Sequence, residues 1–329
     1  MQINPAQGAA LSVSGNLKLF NMERFNKEKF CSDYSINDEQ FSELNIDWDT
    51  LENIYNDYCK RTRSLEQSAI FIVNSLMKLP NVHSVRFRVK NPEHLIEKII
   101  RKKTDNHDRI ITRDNYLYEI TDLIGIRVIH LFKEEWLPIH SHIQTTWNLK
   151  ETPVGYYRKG DTQNYINSIK EQDCDVREHE NGYRSIHYII EFKPEKTTFY
   201  AEIQVRTIFE EGWSEIDHRI RYPYNTSNDL YNQFLLILNR LAGSADEMGT
   251  FIRNLELKFY RDEADFKKKI LEKSQRIRDL EIKIENLTIN SLEKGEIMSD
   301  LERISNEYDI GKQFDVFWEG IRKYREITQ

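Results

Sequence analysis

Glu202, Gln204 and Arg206 stand at alternate positions of the segment TTFYAEIQVRT, whose other positions, Phe199, Ala201, Ile203 and Val205, are apolar. Such alternation is strand-like, so a carboxylate, an amide and a guanidinium share one face of a sheet. That row suits a site holding a phosphate and a divalent cation, because carboxylate oxygen prefers hard cations and an Arg fork holds phosphate bidentately. The competing expectation is a solvated sheet face. Asp122, heading the apolar run DLIGIRVIHLF, offers a second carboxylate at a strand end, with Arg127 five residues on and of opposite parity. A third group is ENGYRSIH, where Asn181 and Gly182 form a turn before Tyr183, Ser185 and His187 alternate along a strand. A Tyr just after a turn can stack on a nucleobase, although an isolated Tyr more often packs in a core.

The elements that must position these groups are legible from periodicity. Trp48, Leu51, Tyr55, Tyr58, Leu65, Ile72, Leu76 and Leu79 recur at helical steps between a capping Asp47 and Pro80. NVHSVRFRVK alternates as a half-buried strand with Arg86, Arg88 and Lys90 on its polar side. EHLIEKIIRKK follows Pro92 as a short helix. ITDLIGIRVIHLF, RSIHYIIEF and TTFYAEIQVRT read as strands, and IFEEGWSEIDHRI as a helix. Residues 133–175 read as mixed and loop-rich, with helical hints from Trp136 to Trp147. From about Asn228 the chain reads as helix almost throughout. Ile270, Ile277, Leu280, Ile284 and Leu287 approximate heptads interrupted by Lys273, equally suited to a helical hairpin and a dimerising coiled coil. The expected class is α+β, a mixed sheet flanked by helices. A helical segment at 1–79 precedes a core at 80–223, and a helical extension occupies 224–329.

Composition narrows the function classes. With 39% hydrophobic and 31% charged residues, 12 Gly and 7 Pro in 329 residues, wholesale disorder and low-complexity classes are excluded. No run approaches a membrane span and the amino terminus lacks a leader pattern, so a cytoplasmic protein without a membrane partner is expected. Cys31, Cys59 and Cys174 form no CxxC and read as indifferent thiols. The formal charge of −7 gives no general attraction to polyphosphate, yet Ser84 to Arg113 carries nine basic against four acidic residues.

Taken in order, RVK at 88–90, TDLIGIRVI at 121–129, NGYRSIH at 181–187, EIQVRT at 202–207 and WSEIDH at 213–218 resemble the synthetase domain of the RelA/SpoT family over roughly residues 70–223. The resemblance implies a nucleotidyltransferase-like mixed sheet. It also implies transfer of the β,γ-pyrophosphate of ATP to a ribose 3′-hydroxyl of GDP or GTP, making (p)ppGpp and AMP with Mg²⁺. It assigns Arg88 and Arg127 to the adenine, and Lys90 and Lys98 to the ATP phosphates. Asp122 and Glu202 are matched to the metal, with Glu202 also accepting the proton of the attacking hydroxyl. Tyr183 is matched to the acceptor base, and His187, Gln204, Arg206 and His179 to the surrounding pocket. On this reading Glu202, Asp122, Arg88 and Lys90 are the catalytic set, and the role of His218 is open.

Two departures bear on the acceptor. His94 stands where the family commonly has Ser, and Glu178-His179 where makers of guanosine alarmones usually have Pro-Lys. A largely neutral His between Glu178 and Glu180 holds phosphate poorly, unless Arg177 or Arg184 takes over. Some relatives without a hydrolase domain are toxins that pyrophosphorylate the 3′-terminal adenosine of tRNA, an acceptor with no 5′-polyphosphate, and that is the alternative. An adenosine nucleotide acceptor and a catalytically dead nucleotide sensor also remain. No hydrolase domain is expected. The helical extension is expected to bind a second copy or a regulatory partner, or to fold back as an inhibitory arm.

Overall fold

The computed structural model describes residues 25–194, 196–221, 229–286 and 290–307. In chain order these form α1 (Lys27–Tyr34), α2 (Asp38–Glu43), α3 (Trp48–Leu76), β1 (Ser84–Val89), α4 (Pro92–Asp105), α5 (Tyr116–Glu119) and β2 (Ile124–His130). There follow α6 (Trp136–Thr146), β3 (Val154–Tyr157), α7 (Gln163–Lys170), β4 (Asp175–Glu178), β5 (Ser185–Phe192), β6 (Phe199–Thr207) and α8 (Ile208–Arg221). The last two helices are α9 (Asp229–Glu285) and α10 (Ser291–Glu307). The sheet order is β1-β2-β6-β5-β3-β4. β2 and β6 run parallel, as do β3 and β4, and the other neighbours are antiparallel, giving the expected mixed sheet.

One face of this sheet is the core. Ile124, Ile126, Val128, Ala201, Ile203, Val205, Ile186, Tyr188 and Ile190 are all buried on it. Against it lies α3, whose buried Leu51, Ile54, Tyr58, Leu65, Ala69, Ile72 and Leu76 recur at three- and four-residue steps. Each fully buried Ile or Leu of that stripe contributes about 1.5–3 kcal/mol. Asp47 caps α3 by accepting from the amides of Asp49 and Thr50, and the helix runs unbroken for 29 residues to Leu76. The segment 133–175 is more ordered than its sequence indicates, because α6, β3, α7 and β4 lie within it. β3 and β4 have four residues each, too few to display an alternation.

The chain divides into two compact units, Met1–Thr250 and Phe251–Gln329. The first includes the start of α9, whose buried residues are Leu235, Asn239, Gly243 and Asp246. The second contains the remainder of α9 and α10. Ile270, Ile277 and Ile284 are half-buried there and Leu280 is exposed, while Leu287 lies outside the described residues. The 223/224 boundary also falls outside them. No disulfide joins Cys31, Cys59 and Cys174, and burial pushes the Cys174 thiol up to about 11, which keeps it inert. Among the described residues no helix is long and apolar enough to cross a membrane.

Candidate active site

The second sheet face carries the chemistry because strand register lines up polar positions across it. Arg88 pairs with Gly125 and Gly125 with Glu202; one step along, Arg86 pairs with Arg127, Arg127 with Gln204 and Gln204 with His187. Side chains at paired positions share a face, so two rows of charged and polar groups form side by side. A cleft of about 300 Å³ opens over them, lined by Arg86, Arg88, Gly125, Arg127, Glu202, Gln204 and, from α8, Glu215 and His218. Gly125 leaves room for its neighbour: a Cβ there would lie 3.3 Å from Arg88 Nε.

Within electrostatic reach of Glu202 is a cluster of two lysines on one carboxylate. Asp122 Oδ2 receives Lys90 Nζ at 2.9 Å and Lys98 Nζ at 2.7 Å. The local sequence builds this. Lys90 directly follows β1, and its carbonyl accepts the hydroxyl of buried Tyr58 at 2.8 Å. Asn91 then caps α4 by accepting from the Glu93 amide at 2.7 Å, so Lys98 returns two turns later to the same carboxylate. Burial works to raise the Asp122 carboxyl, but the two ammonium groups outweigh it and hold it below its ordinary value. Burial also lowers Lys90, and Asp122 opposes that. Asp122 Oδ1 is buried with no hydrogen-bond partner.

Glu202 joins this cluster to the rest. Burial pushes its carboxyl up and so does the charge of Asp122, while the hydrogen bond and charge of His187 and the charge of Lys98 bring it below its usual value. Glu202 Oε1 is 3.1 Å from His187 Nδ1, and Oε2 accepts from Gln204 Nε2 at 3.1 Å. The Tyr183 hydroxyl is 2.9 Å from His187 Nε2. With its Nδ1 hydrogen directed at Glu202, the His187 ring joins that carboxylate to the Tyr183 hydroxyl.

On the other side of Glu202, reached through His187, the cluster is aromatic. Tyr183 meets Tyr156, His179 and His187 with centroids 6.0, 5.4 and 5.6 Å away, and the Arg206 guanidinium lies 5.3 Å from its ring centre. Burial lowers His179 despite the charges of Asp217 and Glu180, so it is held neutral. Gly182 has φ +76°, a left-handed conformation that suits glycine at the turn before Tyr183.

The structure thus brings Arg88, Arg127, Glu202 and Gln204 into one cleft, Lys90 and Lys98 onto Asp122, and His179 and His187 around Tyr183. Two expectations change. Arg206 is 2% exposed and ion-paired to Glu211 at 3.2 Å, so the row on β6 is partly roofed by α8 rather than simply solvated. Ser185 is buried on the strand face it shares with Tyr183 and His187, donating to the Val205 carbonyl. Arg184 cannot take over for a missing lysine, since it is 3% exposed and paired with Asp161 at 3.1 Å. Arg177 is exposed on β4.

Several neighbours escaped the sequence reading. Glu211 Oε1 accepts from Arg127 at 3.2 Å, and Glu215 also pairs with Arg127. Their sign was visible in EEGWSE at helical spacing, but their target was not. Tyr156 belongs to a strand too short to betray itself.

Paired arginines facing ionised carboxylates, with a stacking tyrosine beyond, define a site for a ligand both anionic and aromatic, as a nucleotide is. Residues 87–227 match the family model for the region found in RelA / SpoT proteins. A GTP pyrophosphokinase of Bacillus subtilis, YwaC, is 29% identical over 156 residues, which cover 46% of this chain and 63% of that protein. The alignment thus spans under two thirds of that relative. Among solved structures, a GTP pyrophosphokinase family protein from Streptococcus pneumoniae aligns with TM-score 0.45 and 22% identity over 60% of this chain and 90% of that one. Small alarmone synthetase 1 from Bacillus subtilis aligns with TM-score 0.44 and 19% identity over 61% and 95%.

Proposed function

We propose that this protein is an ATP-dependent pyrophosphokinase, transferring the β,γ-pyrophosphate of ATP to a ribose 3′-hydroxyl of GDP or GTP to make (p)ppGpp and AMP. The observation that carries this is Glu202. It faces an arginine-lined cleft, lies within electrostatic reach of Asp122, and is tied through His187 to Tyr183.

In this reading Arg88 and Arg127 hold the adenine, Lys90 and Lys98 face the donor phosphates, and Tyr183 stacks on the acceptor base. Glu202, held ionised, accepts the proton of the attacking hydroxyl while His187 fixes its orientation, as the third member of a nucleophile–base–orienter chain does. Gln204 braces its second oxygen. The residues fit Mg²⁺: Asp122 Oδ1 is a buried, unpartnered hard donor, and Glu202 is a second carboxylate. Among the described residues no group of three His, Cys, Asp or Glu could hold a metal, so substrate oxygens would complete the shell. When bound there, the ion supplies positive charge to the phosphate oxygens.

A second acceptor has its own support. Around Tyr183 the ring neighbours are Tyr156, His179 and His187, and the family's lysine is absent. Arg184 is committed to Asp161. A 3′-terminal adenosine of tRNA, lacking a 5′-polyphosphate, suits that pocket, and the protein would then be a toxin blocking translation in the cytoplasm. The test incubates the purified chain with γ-labelled ATP and, separately, GDP, GTP, ATP and deacylated tRNA. Label in GDP or GTP upholds the first reading and label in tRNA alone the second. AMP formed with no acceptor, or no AMP at all, overturns both.

A further inference from the structure

Resting on that reading, we propose that Asn239, on α9 and outside the cleft, is a positioning residue that sets Tyr183 for the acceptor. Asn239 is 2% exposed. Its Nδ2 donates to the Gly182 carbonyl at 2.8 Å, and its Oδ1 accepts from Arg184 Nη2 at 3.1 Å and Arg158 Nη1 at 3.5 Å. One side chain therefore grips the residues on both sides of Tyr183: the carbonyl before it and the guanidinium after it.

The surroundings leave this grip little freedom. Gly182 sits in the left-handed region, and a Cβ on it would come within 3.1 Å of both Asn239 Nδ2 and Arg158 Cγ. Arg184 is buried against Asp161 Oδ2 at 3.1 Å, and Asp161 also accepts the Arg158 amide at 2.8 Å. One turn along α9, Gly243 gives Arg184 its space, since a Cβ there would lie 2.8 Å from Arg184 Nη2. A second tie fixes the helix itself: Trp213 Nε1 of α8 donates to the Leu235 carbonyl at 3.0 Å. The turn's cleft side is fixed separately, with the Gly182 amide donating to the His179 carbonyl at 2.8 Å.

Tyr183 thus stands between two held residues, with its hydroxyl 2.9 Å from His187 Nε2. The start of α9 belongs to the acceptor site, so it is no removable arm. A buried carbonyl that loses its donor drifts toward other partners, and Tyr183 moves with it.

The test uses the full chain and three variants. Asn239→Asp keeps an oxygen for Arg184 but removes the donor to Gly182; Asn239→Ala removes both; Gly243→Ala crowds Arg184 without touching the turn. For each, KM is measured for ATP and for the preferred acceptor, and amide hydrogen exchange is followed across 179–207. The expected result is an acceptor KM raised about tenfold with ATP KM within about twofold, plus faster exchange confined to 181–184. An unchanged acceptor KM in a folded Asn239→Asp protein overturns the proposal. So does an equal rise in both KM values with exchange accelerated throughout β5 and β6, the mark of a merely structural residue. If the wild type labels no acceptor, the functional reading fails, and exchange alone decides: local acceleration upholds Asn239 as the clamp on the turn, and none refutes it.

Discussion

The two clusters on either side of Glu202, termed the two ends of the site, hold their charges in opposite ways. At Asp122 two ammonium groups crowd one carboxylate oxygen, giving a cluster whose strength is electrostatic. At Tyr183 the neighbours are rings, the cation beneath is already neutralised by Glu211, and the contacts depend on shape. Glu202 feels both, through the charges of Asp122 and Lys98 on one side and the His187 hydrogen bond on the other. The difference teaches that donor and acceptor can be weakened separately, one by salt or charge reversal and the other by altering a ring or its support.

The largest effect is expected where the ends meet. Glu202→Gln keeps the size of the side chain but removes its proton-accepting charge, so turnover should fall about 10³-fold or more while ATP affinity, measured by calorimetry, stays within a few-fold. Asp122→Asn should cost about 10²-fold in turnover and weaken ATP binding, because Lys90 and Lys98 lose their counter-charge. At the aromatic end Tyr183→Ala should raise the acceptor KM by about 10–100-fold and leave the ATP KM nearly unchanged. Tyr183→Phe, which loses only the contact to His187, should cost a few-fold. Titrating salt sharpens the contrast: screening should raise the ATP KM several-fold and the acceptor KM by less. Equal responses at both ends would dissolve the distinction.

The smallest effect concerns stability rather than rate. Burial, helped by the charge of Glu210, raises the Asp246 carboxyl from 3.8 to about 7. A group raised on folding contributes stability that is complete below its unfolded value and is lost as pH rises through its folded one. The wild type should therefore lose stability between about pH 4 and pH 7 relative to Asp246→Asn, and parallel unfolding curves would show that the carboxyl does not titrate there.

Much of this was legible in sequence, for physical reasons that also mark where legibility ends. β6 is legible because its apolar and polar residues alternate over eight positions, Phe199 to Arg206, with one face fully buried. The helix α3 announced itself through a capped 29-residue stripe. β3 and β4 are too short to show any period. Within the site, Glu202 and Gln204 share a strand, and local spacing alone dictates their shared face. Arg184 marks the limit: in sequence it can stand in for the absent lysine, but Asp161 and Asn239 come from distant parts of the chain to bury it. Asn239 and Gly243 gave only a faint signal, a polar and a small residue where a helix against a core is normally apolar.

The central claim is that a pyrophosphoryl group leaves ATP intact and is accepted by a hydroxyl whose proton Glu202 takes. ATP labelled in parallel experiments at the β- and at the γ-phosphorus tests it most directly. Both labels should appear in the acceptor at equal stoichiometry, matched by AMP, and neither should transfer measurably in Glu202→Gln. Transfer of the γ label alone with ADP as co-product, or undiminished transfer in Glu202→Gln, would contradict it.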